Sequence, residues 1–383
     1  MLLIASEAVR GSQALNNVAR EMSLSPRYFA DPAKLEKLLE GPWRRIALLT
    51  DADLSTDIVD VLCSERANAP LTIIIAADKP KLRSSDKAEI IDRLGDVEWV
   101  GTAFDFERLA ASTRHCRRQM LTLSSEELEH AFEHDEFVIR YQPKVERNAG
   151  AEWETREAEA LIRWQHPQHG LIGPLEFLPE IEEYGMMPAL TDYVLTRTAK
   201  QLGEWRTQGL MLNGCVNLAS SLLTDASLGT RYAAIVEAAG IACEDFTFEV
   251  VEQDLALPDA PHFQALMNLR EHGFRLSLDD FRVAAASLAT FDRLPFDEIK
   301  IHASAIRDAR QSPVALHVLA AVAGLAHNLG MSVCAEGVED QATFDFLQMI
   351  ECDKMQGFLI SEAVLPDIIQ RSYSAREAGV EVA

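Results

Sequence analysis

Strand-like apolar runs and helical stretches alternate from residue 137 to residue 360, and this alternation constrains the fold more than any other property of the chain. Apolar runs of strand period fall at 137–145, 160–164, 215–218, 246–251, 276–278, 298–301, 332–335 and 355–360. Helical periodicity falls between them, at 189–206, 231–239, 263–271, 313–329 and 343–350. About eight strands alternating with helices predict a TIM-type (β/α)8 barrel. A flat doubly wound sheet is the rival, and spacing alone does not exclude it. Ser124-Ser125-Glu126-Glu127 predicts one further, capped helix ahead of the first strand.

The run Phe274-Arg275-Leu276-Ser277-Leu278 alternates apolar and polar side chains and stops at Asp279-Asp280. Alone, such a pair reads as a polar turn or a helix cap. Other runs, however, also carry an acid or amide near their ends: Glu159, Asn217, Glu249 and Glu336. In a barrel such positions converge at one mouth, where active sites sit. Carboxylates gathered there repel one another unless cations neutralise them. An oxygen-rich set suits magnesium or manganese rather than zinc. Two such ions form the usual clamp for displacement at a phosphodiester. Lys300, on the next strand, points into the same mouth or out to solvent, and the pattern leaves both open.

The chain of 383 residues suits a large barrel with a smaller partner domain. A net charge of -24 argues against general binding to nucleic acid or to an anionic membrane surface. An anionic ligand is compatible with that charge if metal ions lie between. Cys63, Cys116, Cys215, Cys243, Cys334 and Cys352 are widely spaced with no CxxC pair, as expected of free thiols in a reducing compartment. The longest apolar run, 71–77, is far short of the roughly 20 residues of a membrane helix, and Met1 to Ser6 lacks a basic leader. A cytoplasmic protein with no membrane span is expected.

Residues 1–120 alternate on their own account. Strands are expected at 2–5, 27–30, 46–49, 71–77 and 97–100, and helices at 12–22, from 31, and at 56–67, 88–94 and 106–120. That order predicts a parallel sheet with helices on both faces. It resembles a response-regulator receiver domain, with the functional positions altered. Ala5-Ser6-Glu7 stands where that family has an acidic pair, and Thr102-Ala103-Phe104 stands where it has Lys-Pro-Phe. Asp51 and Asp53 are the remaining candidates for modification. Without the acidic pair and the lysine, phosphoryl chemistry lacks its metal and its counter-charge. A degenerate receiver-like module for regulation or protein interaction is the expectation, with a barrel domain over 121–383. Arg114, Arg117 and Arg118 read as a solvated helix face.

Glu159-Ala160-Leu161-Ile162-Arg163-Trp164 resembles the signature of the EAL-domain cyclic di-GMP phosphodiesterases. Further matches follow in family order over about 124–370: Tyr141-Gln142-Pro143, Val216-Asn217-Leu218, Phe248-Glu249 with Glu252, Asp279-Asp280-Phe281, Ile299-Lys300-Ile301, Ala335-Glu336-Gly337-Val338-Glu339 and Gln356-Gly357-Phe358. The resemblance implies a two-metal hydrolase opening cyclic di-GMP to the linear dinucleotide pGpG, and a homodimer. It implies metal ligands at Glu159, Asn217, Glu249, Asp279, Asp280 and Glu336. Lys300 matches the group that orients or deprotonates the attacking water, Glu339 and Gln356 match groups that hold the water and its neighbours, and Glu252 matches a loop anchor. Gln142, Leu161 and Arg163 match contacts to the dinucleotide. Two departures stand out. The family's glycine-rich loop after the Asp pair is rewritten as Arg282-Val283-Ala284-Ala285-Ala286-Ser287, and His302 stands where Asp is common. The altered loop implies weak or regulated turnover, or a receptor or scaffold that does not turn over.

Overall fold

The structure, a computed structural model, describes residues 2–10, 12, 15, 16, 18, 26–39, 45–68, 71–77, 87–94, 97–100, 109, 123–148, 152–251, 260–281 and 296–377. Glu252, the rewritten loop 282–287, nearly all of the expected helix 106–120 and most of that at 12–22 lie outside the described residues. Two compact units are present, residues 1–138 with 163–184, and residues 139–162 with 185–383.

In the first unit, β1 (Leu2–Ser6), β2 (Arg27–Phe29), β3 (Arg45–Thr50), β4 (Leu71–Ala76) and β5 (Glu98–Val100) form a parallel sheet in the order β2-β1-β3-β4-β5. This is the flavodoxin-like, doubly wound order. The unbroken apolar run of β4 is what a parallel strand covered on both faces requires. Ile73 and Ile75 enter one core with the helices Pro32–Leu39, Thr56–Asn68 and Ala88–Leu94, while Ile74 and Ala76 enter the opposite core with Leu15, Val18 and Leu109. At the C-terminal ends of β1 and β3, Asp53 is fully engaged. Its Oδ1 accepts from Ser6 Oγ at 2.9 Å, and its Oδ2 accepts from the Thr50 amide and hydroxyl, both at 2.7 Å.

The same unit holds the helix Ser125–Glu133, opened by the expected capping box: Ser124 Oγ accepts from the Glu127 amide and Glu127 Oε2 accepts from the Ser124 amide. Phe137, Trp164 and Phe177 stack nearby with centroids 5.4–6.1 Å apart.

The larger sheet runs β6 (Phe137–Arg147), β14 (Lys354–Met355), β13 (Ser332–Ala335), β12 (Glu298–Ile301), β11 (Arg275–Phe281), β10 (Phe246–Val251), β9 (Asn213–Asn217) and β7 (Trp153–His166). Pairing of β6 with β7 closes it into a barrel, and the short β8 (Gly170–Ile172) hangs antiparallel on the end of β7. Strand β6 runs antiparallel to β14, and every other neighbour from β7 to β14 is parallel. The closed barrel replaces the open-sheet alternative.

Alternation along each strand sets the core. Phe248 and Val250 are buried among the helices, Phe248 lying 5.3 Å from Tyr232 and 5.0 Å from Phe274, while Glu249 between them faces the barrel axis. Ile299 and Ile301 alternate in the same way with Glu298 and Lys300. The apolar core therefore sits between strands and helices, and the interior is charged.

Two local expectations change. The strand expected at 355–360 ends at Met355, because Gly357 presses against the next segment. A Cβ there would lie 2.2 Å from the Val338 amide nitrogen, so the chain turns at a glycine that packing demands. The helices Pro174–Glu183 and Ala303–Gln311 are additions to the expected set, the first containing Pro179 and the second capped by a histidine.

Candidate functional site: a carboxylate cluster around a buried lysine

The C-terminal halves of the barrel strands bring the sequence-marked residues together, as a barrel of parallel strands should. Lys300 Nζ lies at their centre, 2.7 Å from Glu249 Oε2, 2.7 Å from Glu336 Oε1, 3.1 Å from Asp279 Oδ1 and 3.7 Å from Glu159 Oε2. It is 1% exposed, which excludes the solvent-facing alternative. Burial works against its charge, but the four carboxylates outweigh that and hold its pKa well above the ordinary lysine value.

Amides complete the ring. Asn217 Nδ2 donates to Glu159 Oε1 at 2.8 Å, and Gln356 Nε2 donates to Glu159 Oε2 at 2.8 Å and to Gln142 Oε1 at 3.0 Å. Gln142 in turn donates to the Ser361 carbonyl at 3.0 Å. Leu161 and Arg163 follow Glu159 at two-residue steps along β7 and are half-buried, as is Glu339. Gly337 has φ +66°, and a Cβ there would meet Ala303 Cβ at 2.6 Å. Only glycine allows the turn that follows Glu336.

The Asp pair needs a special backbone. Strict alternation would send Asp279 and Asp280 to opposite faces of the sheet. The β11–β12 register shifts between Leu278 and Phe281, and Asp280 takes φ +54°, a left-handed conformation that Asp tolerates. Asp279 Oδ1 accepts the Asp280 amide at 2.8 Å and braces the bulge. The carboxylate of Asp280 faces His302 Nε2 at 3.7 Å. His302 is the N-cap of Ala303–Gln311: its Nδ1 accepts the Ser304 amide at 3.2 Å, the task an Asp performs at a helix start.

A second charged layer escaped the sequence reading. Lys144, Glu157, Glu298 and Lys354 are all buried inside the barrel. Each is two residues from a marked position (Gln142, Glu159, Lys300 and Gln356), the first three on the same strand and Gln356 just past the end of β14, and so lies one layer away. That two-residue step was the available signal. Lys354 Nζ lies 2.8 Å from both Glu157 Oε1 and Glu298 Oε2, and Lys144 Nζ lies 2.5 Å from Glu249 Oε1.

The interior thus sets Glu157, Glu159, Glu249, Asp279, Glu298 and Glu336 against Lys144, Lys300 and Lys354. Acids outnumber lysines, and the excess is at the C-terminal mouth. Burial there, with Asp279 and Glu159 adding repulsion against the pull of Lys300, pushes Glu336 up to about 7. This oxygen-rich, electron-rich donor set has the chemistry of a divalent-cation centre. As the side chains stand, no three His, Cys or carboxylate groups among the described residues are arranged to hold an ion, since the cluster closes on Lys300.

Fold and site define a (β/α)8 barrel with a polyanionic mouth. The chain belongs to the EAL domain family, whose profile matches residues 125–363. It is similar to a cyclic di-GMP phosphodiesterase of Pseudomonas aeruginosa, 33% identical over 234 residues, which are 61% of this chain and 39% of that protein. It is also similar to the cyclic di-GMP phosphodiesterase PdeR of Escherichia coli K12, 31% identical over 246 residues, 64% of this chain and 37% of that one. The chain therefore spans well under half the length of these relatives. Among solved structures, the PaMucR phosphodiesterase in complex with c-di-GMP is 30% identical with a TM-score of 0.58, covering 64% of this chain and 98% of that one.

Proposed function

We propose that the barrel is a phosphodiesterase that opens cyclic di-GMP to the linear dinucleotide pGpG. The observation that carries this is the convergence of four carboxylates from four strands on one buried lysine. The names of the relatives support the substrate. Glu159, Asn217, Glu249, Asp279, Asp280 and Glu336 would hold two magnesium or manganese ions. Bound there, such ions would offset the phosphodiester charge and the charge that develops on displacement.

The side chains supply the rest. Arg163 donates to phosphate, for which a guanidinium fork is suited, while Gln142 and Leu161 contact the dinucleotide. Lys300, central among the carboxylates, orients or deprotonates the attacking water. Gln356 and Glu339 fix the groups around that water, and Glu252 is the residue that matches the family's loop anchor. Residues 1–120 would form a regulatory or protein-interaction domain beside a barrel domain of 121–383, in a cytoplasmic homodimer. No helix among the described residues is long and apolar enough to cross a membrane.

Incubation with cyclic di-GMP and Mn²⁺ or Mg²⁺ should yield pGpG, and Asp280→Asn should abolish it. No linear product at high enzyme concentration would overturn the reading. The rewritten loop Arg282 to Ser287 favours a second reading, a cyclic di-GMP receptor that does not turn over. Calorimetric binding of the nucleotide with Ca²⁺, combined with absent hydrolysis under Mn²⁺, would select it. On the leading reading basal hydrolysis is weak, and rebuilding 282–287 as Gly-Thr-Gly-Tyr-Ser-Ser raises kcat more than it changes KM.

A further inference from the structure

The two oxygens of Glu249 are held differently. Oε2 lies 2.7 Å from Lys300, whose ammonium also reaches Glu336 at 2.7 Å and Asp279 at 3.1 Å. Lys300 can release Oε2 and remain paired. Oε1 lies 2.5 Å from Lys144, which is 1% exposed and has Glu298 Oε1, at 3.6 Å, as its other carboxylate among the described residues. Glu298 is itself occupied by Ser277 Oγ at 2.8 Å and by Lys354 at 2.8 Å, and Lys354 is occupied by Glu157 at 2.8 Å. Arg275, 3.9 Å from Glu157, ends the chain of charges. Lys144 therefore has no equal alternative to Glu249, and a buried ammonium that lets go of its carboxylate is left unpaired.

We propose that Lys144 is a positioning residue that commits Glu249 Oε1 to the barrel interior, so that Glu249 offers one oxygen to a bound cation and the site favours small octahedral ions. The proposal rests on reading the mouth as a divalent-cation centre. A carboxylate with one oxygen engaged binds in monodentate fashion. Mg²⁺ takes near-ideal octahedral geometry, whereas Ca²⁺ accepts more oxygens and readily takes a carboxylate by both. The ladder Glu157–Lys354–Glu298 holds Lys144 upright from below, and its register is set by five different strands, β7, β14, β12, β6 and β10.

The test measures Mg²⁺, Mn²⁺ and Ca²⁺ affinities of the full chain by calorimetry without nucleotide, in wild type, Lys144→Met and Lys144→Met/Glu298→Gln. Removing a cation raises affinity for every divalent ion by charge alone, so the readout is the ratio of Ca²⁺ to Mg²⁺ affinity. That ratio should rise ~10-fold in Lys144→Met, within the range for removing a partner of a metal ligand. The double variant removes one acid and one base, restoring the melting temperature towards wild type while leaving the ratio raised. With Mg²⁺ both variants should lose kcat with little change in KM. An unchanged ratio, or a ratio and kcat both restored in the double variant, would show that Lys144 only balances Glu298. Wild type that binds none of the three ions would overturn the cation-centre reading and this proposal with it.

Discussion

Gly357 shows how much one missing Cβ decides. The Gln356 carbonyl accepts from the Val338 amide at 3.1 Å and the Val338 carbonyl accepts from the Leu359 amide at 2.9 Å, so Gly357 lies in a backbone crossing with no side-chain room. Gly357→Ala should push Gln356 away from Glu159 and Gln142. A shift of about 1 Å at such a group costs on the order of a hundredfold in rate. Steady-state hydrolysis beside a melting curve checks this, and loss of kcat larger than the melting loss explains is expected. Lys354 makes a second residue-scale case. Lys354→Met leaves Glu157 and Glu298 buried without their shared cation, and breaking a buried pair from one side costs about 3–5 kcal/mol. Burial works against the charge of Glu298, yet Lys144, Lys354 and Ser277 hold its pKa down at about 2. A depressed carboxylate contributes stability that is full above its ordinary value and is lost as pH falls through its folded one. The melting temperature of wild type should therefore fall between about pH 4.5 and 2, and part of that fall should disappear in Glu298→Gln.

At the scale of elements, His302 explains how a histidine substitutes for an acid at a helix start. The helix Ala303–Gln311 needs an acceptor for its first free amides, and Nδ1 supplies one. His302→Ala should cost about 0.5–2 kcal/mol in chemical denaturation, the usual value of an N-cap, and His302→Asp should recover it. The aspartate would, however, stand beside Asp280, so a variant with restored stability and altered metal dependence is expected. Equal melting of the alanine and aspartate variants would show that the cap contributes nothing.

For the whole molecule, the question is whether the N-terminal unit transmits a phosphorylation signal. The parallel order β2-β1-β3-β4-β5 suits a receiver-like sheet, but Asp53 spends both oxygens on Ser6 and Thr50 as a structural cap. With Ser6-Glu7 at the end of the first strand and no Lys-Pro-Phe motif, phosphoryl transfer has neither its metal ligands nor its lysine. Acetyl phosphate or beryllofluoride should change neither the hydrolysis rate nor the oligomeric state in light scattering. A several-fold rate change that vanishes in Asp51→Asn would place a working phosphoacceptor in this unit.

Local order was legible in the chain: Ala88–Leu94, Phe246–Val251, Glu298–Ile301 and Ser332–Ala335 stand where periodicity put them, and Ser124 caps its helix as the Ser-x-x-Glu spacing required. These features depend on residues a few positions apart, where propensity, alternation and capping act. The acids at strand ends were legible for the same reason, since each marks the end of a local run. Closure of the barrel was not. It rests on pairings such as Lys354 with Glu146, which join opposite ends of the domain and have no local signature. The same holds for Lys300, whose four partners come from four strands, and for Lys144, Glu157, Glu298 and Lys354, which in a strand period look like a solvated face. Whether a polar face meets water or another polar face is decided by how the sheet curls, and that is a property of the tertiary structure alone.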